Sequence, residues 1–109
     1  MNHTKTIATY ENLYAEDFQK MLQQKADAIL LDVRTPEEYQ SGRIPQSINI
    51  NLMDRAFMSQ IALLDKEKPY FIYCRSGARS GQACAMMANQ GFEVYNLAGG
   101  IIGWRGEIY

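Results

Sequence analysis

Apolar positions along the chain follow two alternating rhythms, short nearly continuous runs and longer stretches spaced three or four apart. Ala28-Ile29-Leu30-Leu31-Asp32-Val33 is of the first kind and predicts a parallel strand covered on both faces. Tyr70 to Tyr73 and Phe92 to Asn96 predict two more strands, Ser47 to Asn51 a brief alternating one, and Lys5 to Thr9 a short first one. The second rhythm places Tyr14, Phe18, Met21 and Leu22 on one helical face between Tyr14 and Lys25, leaving Glu16, Asp17, Lys20, Gln23 and Gln24 for solvent. Leu52, Phe57, Ile61 and Leu64 predict a helix over Leu52 to Leu64, and a further helix runs from Ala78 to Gln90 and stops at Gly91.

Local chemistry sharpens two boundaries. Thr35-Pro36-Glu37-Glu38 is a helix start, with a capping hydroxyl, proline at the first helical position and two acids in the first turn, and Gly42 ends that short helix. Near the carboxyl end, Gly99-Gly100 precedes an apolar turn through Ile101 and Ile102, and Trp104 has the size of a core plug. Strands alternating with helices predict an α/β fold, a mostly parallel sheet with helices on both faces, in which ligands bind beyond the carboxyl ends of the strands.

Composition narrows the class. A chain of 109 residues, 47% hydrophobic and 21% charged, suits one domain over 1–109 with a buried core. Eleven basic residues against twelve acidic ones argue against a nucleic-acid or membrane-surface partner, so any anion site must be local. Two cysteines ten positions apart and a single histidine, His3, provide neither a zinc-ligand pattern nor a disulfide framework. With no long apolar run and no apolar leader, the expectation is a cytoplasmic protein with reduced thiols and no metal.

The candidate chemistry lies in Cys74-Arg75-Ser76-Gly77-Ala78-Arg79-Ser80, where a strand ends on a thiol and passes through a loop into a helix. Backbone N–H groups and a helix N-terminus stabilise a thiolate at such a place. Gly77 allows successive amides to turn inward as an anion nest, while Arg75 and Arg79 can add guanidinium forks, either of which could face a substrate. Taken alone, a cytosolic cysteine is more often a small buried hydrophobe; this loop reverses that balance for Cys74. Cys84, among Ala83, Ala85, Met86, Met87 and Ala88, reads as core packing and not as a resolving thiol, and the two methionines as gap fillers. Asp32 and Arg34, at a strand end, read as a pair that fixes a neighbouring loop more readily than as an acid and a base.

The same heptapeptide resembles the active-site loop of the single-domain rhodanese family of sulfurtransferases. Three further stretches support the likeness: Leu31-Asp32-Val33-Arg34 with Glu37 and Tyr39, Gly42-Arg43-Ile44-Pro45 with Ile48-Asn49, and Asn96-Leu97-Ala98-Gly99-Gly100-Ile101 with Trp104. The resemblance implies a rhodanese-like domain in which Cys74 takes sulfane sulfur from a small anionic donor, becomes a persulfide and passes the sulfur to a thiophilic acceptor such as cyanide, a thiol or a sulfur-relay protein, without a cofactor. Arg75 to Ser80 would bind the donor and the persulfide, with Asp32 and Arg34 in support. Alternatives are a binding or relay module without turnover and a phosphatase or arsenate reductase on the same fold. The latter is disfavoured because four residues, not five, separate Cys74 from Arg79. Gln46-Ser47 replaces the family's usual small pair after Pro45, and Arg43 stands where the family often has histidine, a change that could alter rim charge and donor choice but not the nucleophile.

Overall fold

A computed structural model describes residues 9–109 of the chain. In order, its elements are β1 (Glu11–Leu13), α1 (Ala15–Gln24), β2 (Ile29–Asp32), α2 (Pro36–Ser41), β3 (Ile48–Asn49), α3 (Phe57–Ile61), β4 (Pro69–Tyr73), α4 (Ala78–Asn89), β5 (Glu93–Leu97) and a 3₁₀ turn at Ile101–Gly103. The five strands form one parallel sheet ordered β1-β5-β4-β2-β3, so β4 is central and its carboxyl end opens onto the loop that carries Cys74.

Alternation along β4 builds the core on both sides of the sheet. Tyr70 and Ile72, with Cys74 beyond them, pack with Leu31, Val33 and Val94 against Phe57 and Ile61 of α3 and Ala83, Cys84 and Met87 of α4. Phe71 and Tyr73 face the other way, joining Leu30, Tyr95 and Leu97 against Phe18 of α1. Every residue of β4 is buried, as a central parallel strand requires. The small side chains of Ala83 and Cys84 are fully buried and let α4 lie close to the sheet. Phe71 stacks on Tyr95 at 4.7 Å between centroids and meets Phe18 edge-on at 5.3 Å, so one ring links the sheet to α1.

Several sequence expectations need correction. The strand expected over Lys5 to Thr9 falls outside the described residues apart from Thr9, which is not in a strand, and the first described strand is Glu11–Leu13. Tyr14 does not join the buried face of α1. It is the N-cap, its extended backbone turns the ring away, and it is 72% exposed. The helix expected over Leu52 to Leu64 is confined to Phe57–Ile61. Ile50 and Leu52 donate their N–H groups to Asp32 and Val33, continuing the extended path beside β2, and the Asn51 and Asp54 side chains accept from Met53 and Ala56 in turns that compete with helix. Trp104 is a half-buried lid, edge-on to Phe18 at 6.2 Å, and its indole N–H donates to the Glu107 carbonyl. Among the described residues no helix is long and apolar enough to cross a membrane.

Because Phe71 is fully buried between Phe18 and Tyr95, Phe71→Ala should cost about 3–5 kcal/mol in urea-induced unfolding. Leu63→Ser, at an 88% exposed position, should stay within about 0.5 kcal/mol of the parent in the same measurement.

Candidate active site

The strand-to-helix connection after β4 surrounds one sulfur with hydrogen-bond donors. Gly77 N–H donates to Cys74 Sγ at 3.1 Å, and the Ser80 hydroxyl donates to it at 3.3 Å from the first turn of α4. Burial pushes the Cys74 thiol up, but the Ser80 hydroxyl and the N–H groups of Ser80, Gly77 and Ser76 together outweigh it and hold the thiol below its ordinary range. Cys84 behaves in the opposite way: it is fully buried, and desolvation raises its thiol strongly, as befits a packing residue.

Two glycines make this loop possible. Gly77 has φ of 106°, and a β-carbon there would lie 2.2 Å from the Ala98 carbonyl oxygen. Gly100 has φ of 64°, and its β-carbon would lie 2.0 Å from the Arg75 carbonyl oxygen. The 98–102 segment thus backs directly onto the cysteine loop. It also caps it: Ile101 N–H donates to the Cys74 carbonyl at 2.9 Å and Ile102 N–H to the Arg75 carbonyl at 3.3 Å.

The two loop arginines have different surroundings. Arg79 makes a two-pronged pair with Glu38 of α2, Nη1 to Oε1 at 2.7 Å and Nη2 to Oε2 at 2.9 Å. Glu38 is in turn the N3 residue of the capping box begun by Thr35, accepting from the Thr35 N–H and hydroxyl while its own N–H donates to Thr35 Oγ1. The Arg79 guanidinium, followed by the Thr35 contacts, overcomes burial and holds the Glu38 carboxyl down to about 2. Arg75 is exposed and, among the described residues, has no ion-pair partner. It borders a groove of about 520 Å³ whose other walls include Glu37, Glu38, Ile101, Ile102 and Ile108.

Asp32 and Arg34 form a buried pair within hydrogen-bond distance, with Nη2 to Oδ2 at 2.6 Å, and the same Nη2 donates to the Gly42 carbonyl at 2.7 Å. Asn49 Nδ2 donates to the carbonyls of Asp32 and Arg34. The pair therefore braces the β2–α2 turn and the end of α2, the structural role expected, and makes no hydrogen bond to Cys74.

For three contributors the sequence patterns named the residue but not its role at the sulfur. Glu38 was visible only as a first-turn acid three residues after Thr35. Gly100 carried no signal that its partner would be Arg75. Asn96 entered only as the first residue of the Asn96–Ile101 stretch that carries part of the family likeness, yet its side-chain amide donates to the Gly77 carbonyl at 3.2 Å.

The family model for the rhodanese-like domain matches residues 14–107. The chain belongs to the rhodanese-like family. A sulfurtransferase of Allochromatium vinosum is 40% identical over 91 residues, covering 83% of this chain and 83% of that one. A thiosulfate sulfurtransferase of Pseudomonas savastanoi is 37% identical over 79 residues, covering 72% of this chain and 73% of that one. Among solved structures, a rhodanese-related protein of Thermoplasma volcanium superposes with a TM-score of 0.80 at 27% identity, over 92% of this chain and 98% of that one.

The Glu38–Arg79 pair has a pH signature. A carboxyl whose folded pKa is depressed stabilises the fold above its ordinary range and loses that contribution as pH falls through the interval from about 4.5 to about 2. Both partners are partly solvent-screened, so the contribution is about 1–2 kcal/mol. Glu38→Gln should lower stability near neutral pH by that amount and flatten the acid limb of a stability-against-pH curve from chemical denaturation, converging with the parent near pH ~2.

Proposed function

We propose that this rhodanese-like domain is a sulfurtransferase that carries sulfane sulfur on Cys74. The observation that supports the reading best is the cradle around Sγ, donors from Gly77 and Ser80 aimed at a sulfur held below its ordinary pKa. The names of relatives at 37–40% identity agree with it. In the first half-reaction the Cys74 thiolate attacks the outer sulfur of thiosulfate or of a low-molecular-weight persulfide. The donor's S–S bond breaks, its electron pair leaves with sulfite or with a thiolate, and a Cys74 persulfide remains. In the second, an acceptor thiolate or cyanide attacks the outer sulfur and the electron pair returns to Cys74. This is ping-pong covalent catalysis, and the electrons balance within the substrates.

The amides and hydroxyl that favour the Cys74 thiolate over the thiol are equally suited to the persulfide anion, which places its charge one atom further out over the same nest. Arg79 serves as a strut, because its guanidinium is committed to Glu38. Arg75 is the loop cation available to an incoming anionic donor, and the aliphatic wall from Ile101, Ile102 and Ile108 beside it accommodates a carbon-bearing donor or acceptor.

Incubation with excess thiosulfate should add one sulfur atom to Cys74, seen by intact mass and peptide mapping, and a thiol or cyanide should remove it. Cys74→Ser should take up none. A wild-type protein that stays unmodified with both thiosulfate and glutathione persulfide would overturn the reading and leave a docking module. Arg75→Ala should raise the KM for thiosulfate about tenfold with a smaller change in kcat, as loss of a charge-assisted contact made in both ground and transition states predicts.

A further inference from the structure

We infer that Asn96, whose side-chain amide bonds the loop and not the sulfur, is a positioning residue that aims the Gly77 N–H at Cys74 by holding the Gly77 carbonyl. The inference rests on Cys74 being the sulfur-carrying thiol proposed above.

Asn96 is on β5, 3% exposed, in the strand next to β4. Its Nδ2 donates to two acceptors, the Gly77 carbonyl at 3.2 Å and Asn12 Oδ1 at 2.9 Å. A carbonyl can only accept, so the amide's orientation is set: Nδ2 must face the loop. That orientation leaves Asn96 Oδ1 buried without a hydrogen-bond partner among the described residues. A buried acceptor without a partner is unfavourable, and an apolar side chain of similar size would avoid that cost. The favourable contacts of the amide are therefore the two bonds its nitrogen makes.

The bond to Gly77 falls at the loop's softest point. Gly77 has no side chain to restrict it, and its φ of 106° is maintained only by surroundings. Ala98 packs against its α-carbon, Gly81 N–H donates to its carbonyl at 3.0 Å, and Asn96 is the second donor to that same oxygen. With the carbonyl clamped from α4 and from β5, the residue has little freedom to rotate, and its N–H stays on Sγ at 3.1 Å. Asn12 completes the chain from the sheet edge, since β1 and β5 pair with Asn12 directly opposite Asn96. Asn12–Asn96–Gly77–Cys74 is thus a continuous hydrogen-bonded path from the outer strand to the sulfur.

No charged or titratable group near the thiol makes this connection. The charged and titratable neighbours are Arg75 in the loop, Arg79 on α4 paired with Glu38 of α2, the Asp32–Arg34 pair at the end of β2, Tyr73 on β4 and Cys84 on α4. None of them hydrogen-bonds Asn96.

The test is the pH dependence of Cys74 alkylation by iodoacetamide, mapped to the peptide so that Cys84 does not contribute, alongside thermal unfolding. This readout requires no sulfur transfer, so it remains informative if thiosulfate fails to load the wild type. Asn96→Leu, of similar volume, should raise the midpoint of the alkylation profile by about one pH unit, the equivalent of weakening one hydrogen bond to an anion. Asn12→Ala should raise it by less. Val94→Ala, two residues earlier on β5 and without a hydrogen bond to the loop, supplies a comparison in which stability falls while the midpoint holds. An unchanged midpoint in Asn96→Leu, or an equal rise in Val94→Ala, would overturn the inference.

Discussion

Two stretches of backbone touch behind the cysteine loop, and the sulfur site depends on that contact. Gly77 lies against the Ala98 carbonyl and Gly100 against the Arg75 carbonyl, at separations that leave no room for a β-carbon on either side. Only with the chain this close can the Ile101 and Ile102 amides satisfy the Cys74 and Arg75 carbonyls. With those carbonyls turned away, the loop's own N–H groups face inward, and the same turn that buries the thiol supplies the donors that lower its pKa.

Burial and ionisation normally oppose each other. Cys74 is 1% exposed yet its thiol is held low, whereas Cys84, buried to a similar degree, is driven high. The difference is the donor set. Cys84 lies within the core packed between α4 and the sheet, while Cys74 occupies the mouth of a helix N-terminus, where otherwise unpaired amides need an acceptor. Under the proposed function, such a place suits a sulfur that bears charge as a thiolate and again as a persulfide.

Around this centre the polar residues act as braces. Arg79 and Glu38 tie α4 to α2, Asp32 and Arg34 tie β2 to the end of α2, and Asn96 ties β5 to Gly77. Each bond joins an element to the loop or to its rim, and the aromatic contacts of Phe18, Phe71 and Tyr95 keep those elements in fixed relation from the opposite face. Arg75, left out of the bracing, remains available at the groove.

The sequence by itself determined what depends on neighbours along the chain. The apolar run of β4 meant a strand, Thr35-Pro36 started α2 as expected, and the cysteine at a strand end before a glycine marked the sulfur around which the loop's donors gather. It overreached at residues 52–56, where apolar spacing suggested helix but Asn51 and Asp54 side chains captured the backbone in turns, and at Tyr14, whose place before the helix start reversed its facing. Tertiary structure alone decided which arginine is free, what Gly100 presses against and what holds Gly77. Those partners lie 41 positions apart for Arg79 and Glu38, 19 for Asn96 and Gly77, and 84 for Asn96 and Asn12. Short-range patterning encodes period and punctuation, but a guanidinium or an amide takes whichever acceptor the packed sheet brings within reach, and that choice exists only once the strands have found their order.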